Sequence, residues 1–181
     1  TITQDAETIT ISSSTRSWTY DGETHTDEVY TVTYGDEEMP ADATGKVFTL
    51  PTSDTVTITA TAAGVKDYDA SYNENNTYTY ALTNAEQYSG VTASTGTLSI
   101  KKADITIAMA DRTLPYNGSE QYGWSRTDEG KETVTGLVND ETVTIDYTPS
   151  KGTTAGTYED GAYAGASLKV MEGTTDVTKN Y

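Results

Sequence analysis

Oxygen ligands crowd one stretch of this chain, Asp67-Tyr68-Asp69-Ala70-Ser71-Tyr72-Asn73-Glu74-Asn75-Asn76. Such a loop could hold Ca²⁺, which takes about six to eight oxygens, with Asp67, Asp69 and Asn73 as candidate ligands. It lacks the Gly and the Glu that a helix–loop–helix calcium loop needs at its sixth and twelfth places, where Tyr72 and Tyr78 stand. An acidic, solvated β-turn accounts for the same residues and is the plainer reading. Trp18 and Trp124 are the two tryptophans. Each offers a broad apolar face with a polar N–H, the chemistry of sugar stacking, so both are candidate ligand-binding residues. Core packing is the competing account, stronger for Trp18 than for Trp124.

Other chemistry is harder to assemble. His25 is the only histidine and there is no cysteine, which excludes multi-histidine and thiolate metal sites within one chain. A Ser-His-Asp triad would have to use His25, and nothing places a serine and an aspartate beside it. The carboxylate pairs Asp36-Glu37 and Asp140-Glu141 are adjacent in sequence. On a strand, neighbours point to opposite faces, which is wrong for paired acid–base work. Lys101, Lys102, Asn84 and Asn180 could form an intramolecular isopeptide bond, although the sequence does not pair them. No catalytic residue, no resident cofactor and no metal beyond the Ca²⁺ candidate is expected.

The elements that must position these residues are strands. Thr8-Ile9-Thr10-Ile11-Ser12, the run Val29 to Tyr34, Thr55 to Thr61, Thr77 to Leu82, Thr97 to Ile100, Ile105 to Ile107, Glu141 to Ile145 and Ala164 to Val170 all alternate with period two. That period puts one face on a core and the other in water. Asp21-Gly22, Thr95-Gly96, Asn117-Gly118 and Lys151-Gly152 supply turns between the runs. No segment carries a helical period, so the fold class is all-β. With a net charge of −17, the chain repels phosphate backbones and anionic lipid, which argues against nucleic-acid partners. No apolar run reaches the ~20 residues that span a bilayer, so no membrane insertion is expected in this segment.

The pattern is also written twice. Ile9-Thr10-Ile11, Arg16 and Tyr20-Asp21-Gly22 recur 96 positions on as Ile105-Thr106-Ile107, Arg112 and Tyr116-Asn117-Gly118. In a second register, offset by 87, Val47 to Leu50 and Val56-Thr57-Ile58 match Val134 to Leu137 and Val143-Thr144-Ile145. Self-similarity at a long period marks an array of modules. The offset of 96 sets Trp18 against Leu114, an exchange that suits a core position, and Trp124 against the charged Glu28. The expected division is 1–102 and 103–181, joined by Lys101-Lys102-Ala103-Asp104 with neither Gly nor Pro, so strand should follow strand with limited bending. Residues 1–3 match Thr97-Leu98-Ser99, as if they were the last strand of a preceding module. The second module ends at Asn180-Tyr181, matching Gln87-Tyr88, and so is expected to lack its closing strand and to leave a sheet edge exposed.

Laid out this way, the chain resembles the YDG/MBG-type repeat modules of bacterial cell-surface, adhesin-like proteins. The likeness rests on Tyr20-Asp21-Gly22 and Tyr116-Asn117-Gly118, on Val138-Asn139-Asp140-Glu141-Thr142-Val143-Thr144, and on Ala155-Gly156-Thr157-Tyr158. Asn180-Tyr181 and Gly96-Thr97-Leu98-Ser99-Ile100-Lys101-Lys102-Ala103 complete it. The first module departs at Ala70-Ser71-Tyr72 and Gln87-Tyr88, and carries an insert from Gly35 to Lys46. The resemblance implies tandem Ig-like β-sandwich modules in an extracellular array at the cell surface or cell wall, without catalytic residues. A β-grasp-like module is the alternative architecture. The expected function is a stiff, non-enzymatic spacer in cell adhesion whose partners are neighbouring repeats of the same chain. The rivals are a module that binds host glycan or extracellular protein, and an accessory domain of a secreted hydrolase.

Overall fold

The computed structural model describes residues 1–181 and contains sixteen strands and two single-turn 3₁₀ segments. The chain is all-β, and no helix in it is long and apolar enough to cross a membrane. It divides into two compact units, Thr1–Lys101 and Lys102–Tyr181.

In the first unit, β1 (Asp5–Ser13) is an interior strand of its sheet. It pairs antiparallel with β3 (Tyr30–Tyr34), setting Ile9 against Tyr34 and Ile11 against Val32. Its other edge runs parallel to β8 (Tyr88–Ser94), with Ile9 opposite Val91. The short β4 (Glu37–Glu38) closes this sheet against β3. A second sheet takes β5 (Val47–Thr49), β6 (Thr55–Ala60) and β7 (Tyr78–Leu82) in antiparallel order. The inward residues of both sheets meet in one cluster of Ile9, Ile11, Val32, Phe48, Val56, Ile58 and their neighbours. Each such side chain contributes about 1.5–3 kcal/mol by leaving water.

After Ser13 the chain kinks, and β2 (Arg16–Thr19) pairs in parallel with β9 (Leu98–Lys101), Trp18 lying opposite Ile100. Two asparagines staple this kink. Asn76, almost fully buried, donates from Nδ2 to the Ser14 carbonyl at 2.9 Å and accepts from the Ser13 hydroxyl at its own carbonyl. Asn75 exchanges two bonds with the Leu98 backbone, at 2.7 and 3.0 Å. Gly96 is required here, because a Cβ on it would sit 2.1 Å from the Ser14 carbonyl oxygen. Period-two alternation carries no strand direction, so the two parallel pairings are invisible to it.

The second unit is sparser. β10 (Thr106–Met109) pairs antiparallel with β12 (Glu132–Thr135), and β11 (Gln121–Tyr122) with β14 (Lys151–Gly152). β13 (Thr142–Thr148) pairs with β15 (Ala162–Glu172), whose end turns back as β16 (Thr175–Asp176). Val143 faces Val170 across β13 and β15, as Val56 faces Leu82 across β6 and β7. The register offset by 87 does not extend to Val134. That residue lies on β12 opposite Ile107, a pairing like that of Val32 with Ile11 in the first unit, whereas Val47 belongs to the β5–β6 hairpin. Of the buried apolar side chains only Val170 and Val177 belong to this unit.

Candidate functional site

Trp124 follows β11 and reaches back toward the segment after β10. Its indole Nε1 donates to the Asp111 carbonyl at 3.0 Å. The Arg112 guanidinium stands 4.2 Å and the Lys131 ammonium 4.6 Å from the ring centroid. The Arg112 guanidinium also donates to the Tyr122 carbonyl at 3.2 Å, which fixes it in place. An indole face offered to two cations is engaged by cation–π attraction. A sugar would have to displace them.

Trp18, half-buried on β2, is engaged in a different way. The imidazole of His25 stacks on it at 4.8 Å with 14° between the planes, and the Arg16 guanidinium stands 5.2 Å from its centroid. His25 Nε2 is 3.0 Å from Asp21 Oδ1, and the His25 backbone exchanges two hydrogen bonds with Val65. The bond to His25 helps hold the Asp21 carboxyl below its ordinary pKa, after the larger effect of the Glu23 backbone N–H. The sole histidine is thus part of the packing around Trp18 and of the cross-link to Val65.

The oxygen-rich stretch forms a capped turn. Asp69 Oδ1 accepts from both the backbone N–H and the hydroxyl of Ser71, at 2.8 and 2.6 Å. The Tyr72 hydroxyl donates to the Asp67 carbonyl at 3.1 Å, and Asn73 is exposed. No group of three His, Cys, Asp or Glu side chains is gathered where it could hold a metal. Among the lysines and asparagines, Asn84 donates to Asp54 at 2.7 Å, and Lys102 reaches the Tyr181 carbonyl at 2.8 Å.

One concavity was not anticipated from the sequence. It is a groove of about 760 Å³ in the second unit, running beside β10 and the segment that follows it. Ile107, Met109, Leu114, Tyr116, Trp124 and Tyr163 are among its lining residues. Tyr116, Tyr122 and Tyr158 are exposed in or beside it. Tyr163, which lines it, also belongs to a polar cluster. Arg126 grips Glu132 with two bonds of 2.7 and 2.8 Å and donates to the Ile145 carbonyl at 2.7 Å. Tyr163 adds a hydroxyl bond to Glu132 at 3.0 Å. The Arg126 bond holds the Glu132 carboxyl below its usual value, and burial together with Glu132 pushes the Tyr163 hydroxyl up to about 12. Arg126 and Glu132 are six residues apart, a spacing without meaning on a strand until the loop between them is known.

No protein-family model, curated protein or solved structure matches the chain.

Proposed function

We propose that this chain is a non-catalytic, extracellular repeat segment of a bacterial surface protein, acting as a stiff spacer in cell adhesion. One correspondence carries the reading. Asp54 and Glu141, 87 positions apart, precede β6 and β13. Each accepts a hydrogen bond from the tyrosine that ends its unit's Gln-Tyr or Asn-Tyr pair, Tyr88 and Tyr181 respectively. A tie built twice at matching places is what tandem copies of one module require. The connection supports stiffness: β9 ends at Lys101, β10 starts at Thr106, and the residues between contain neither Gly nor Pro. The candidate residues add their weight, since Trp18, His25, Trp124 and Asp69 all have intramolecular partners. For the architecture we favour the Ig-like sandwich over the β-grasp, which packs a helix across its sheet.

Nuclear spin relaxation on the whole chain tests the spacer reading. A stiff spacer requires both units to share one tumbling time, and two separate times would sink it. A second reading, binding of host glycan, draws on the exposed tyrosines in and around the groove of the second unit.

A further inference from the structure

The same turn is built in both units from different side chains. Asp21-Gly22 and Asn117-Gly118 stand 96 positions apart, and their glycines adopt φ of +79° and +77°. Asp21 Oδ1 accepts from the Glu23 backbone N–H, and Asn117 Oδ1 from that of Ser119, each at 2.9 Å. Both are Asx turns. Asn117 is exposed. Asp21 is exposed as well, although β2 and β9 are paired beside it, so access to solvent belongs to the turn itself.

The asparagine version holds reactive chemistry that the aspartate version lacks. Attack of the Gly118 nitrogen on Asn117 Cγ closes a five-membered ring. No side chain hinders that nitrogen, and the Tyr116 hydroxyl, 3.9 Å from where a Cβ would stand, is the nearest atom. Neither the Gly118 N–H nor Asn117 Nδ2 has a hydrogen-bond partner, so nucleophile and leaving group are both free. The Ser119 N–H donates to the oxygen on which negative charge develops during attack. The other six asparagines all precede residues with side chains. At Asp21 the same attack would have to expel oxygen from a carboxylate that Glu23 and His25 also hold, the latter at 3.0 Å.

We propose that Asn117 is a site of spontaneous deamidation through a cyclic imide. The Gly118 nitrogen gives its proton to solvent base and bonds to Asn117 Cγ. The Cγ–Nδ2 bond then breaks, and the amide nitrogen takes a proton from solvent and leaves as ammonia. Water opens the ring in one of two ways. Cleavage of the new bond between nitrogen and Cγ gives aspartate. Cleavage between that nitrogen and the backbone carbonyl carbon gives isoaspartate, whose main chain runs through the former side chain. The aspartate product is the residue the first unit already holds in this turn, so the bond from Ser119 survives. Isoaspartate lengthens the main chain by a methylene and displaces it. Either product adds a negative charge to a chain that already carries −17. The inference is independent of the spacer reading.

The test incubates the whole chain at mildly alkaline pH and follows each asparagine by peptide mass spectrometry, with a synthetic peptide of residues 112–121 as reference. The expected result is that Asn117 converts first, releases ammonia in equal amount and yields both products. Its rate in the folded chain should be within about tenfold of the peptide's, or faster. Gly118→Ala should slow conversion by about tenfold or more, because a Cβ hinders the attacking nitrogen. The same substitution in the peptide keeps the test decisive if that chain fails to fold. Asn117→Asp should leave the urea midpoint of the second unit unchanged. Conversion of the exposed Asn73, Asn84 or Asn139 as fast as Asn117 would overturn the proposal. So would a folded chain more than about tenfold slower than the peptide, or conversion indifferent to Gly118→Ala. A lowered midpoint in Asn117→Asp would overturn the fit of the aspartate product to the turn.

Discussion

The Tyr88 hydroxyl donates to Asp54 at 2.6 Å, and the Tyr181 hydroxyl donates to Glu141 in the same way. In both units the tie joins the chain just past a 3₁₀ turn, Ala85–Gln87 or Thr178–Asn180, to the turn before a core strand. The second tie is reinforced by the Val138 backbone N–H, which donates to the Tyr181 hydroxyl at 2.9 Å. Glu141 is buried and also accepts from the Val138 backbone N–H at 3.2 Å, so the loss of the Tyr181 hydroxyl removes one of the donors to a buried carboxylate. Tyr181→Phe is expected to cost about 1–3 kcal/mol, measured by urea unfolding of the second unit's transition. An unchanged midpoint would mean that the tie is incidental.

Alkaline pH should loosen the second unit through its tyrosines. Burial, then the bond to Glu141, pushes Tyr181 up to about 12, and burial and Glu132 do the same for Tyr163. A hydroxyl whose pKa is raised on folding contributes stability that is complete below the unfolded value, about 10. That contribution is lost as pH rises through the folded value, so unfolding midpoints should fall between about pH 10 and 12. Tyr163→Phe and Tyr181→Phe together should flatten this slope, with tyrosinate absorbance reporting the titration.

Acid acts through Glu132. Its bond to Arg126 depresses its pKa, so the stability it contributes is present above its ordinary value of 4.5 and is lost as pH falls through the depressed one. Glu132→Gln should weaken the second unit by about 1–3 kcal/mol at neutral pH and shrink the acid-dependent loss. Parallel acid profiles for variant and parent would refute this account of the cluster.

Two glycines sit where a side chain has no room. A Cβ at Gly96 would meet the Ser14 carbonyl at 2.1 Å, and one at Gly136, whose φ is +93°, would meet the Asp104 carbonyl at 2.1 Å. Gly96→Ala should lower the stability of the first unit and Gly136→Ala that of the second, each by about 1–3 kcal/mol. Gly45→Ala is a control without steric conflict, since nothing lies within 4 Å of its Cβ position, although its φ of +71° still carries strain. Melting temperatures that fall equally for all three would contradict the close-contact argument.

Several strands were legible from alternation, although β2, β5 and β8 were not among the runs it marked. The run Thr55 to Thr61 became β6, and Thr77 to Leu82 became β7, because alternation is all that a half-buried strand requires. Pairing was not legible. Ile9 cannot reveal from its neighbours that Val91 lies beside it and parallel, because that contact is set by closure of the whole first unit. The same limit applies to Trp124. Arg112 and Lys131, which cover its ring, come from segments twelve residues before it and seven after it, and no local pattern joins them. The oxygen-rich stretch was legible as ligand chemistry, yet Ser71 and the turn itself use Asp69, and Asn75 and Asn76 staple the kink between strands. A side chain's competing partners are tertiary facts that composition does not contain.

The most direct measurement of the central claim is binding of the folded chain to a glycan panel at physiological salt, with and without Ca²⁺. The spacer account predicts no specific glycan and a melting temperature that Ca²⁺ leaves unchanged. A specific glycan whose binding is lost in Trp124→Ala and kept in Trp18→Ala would contradict it and make the second unit an adhesive module.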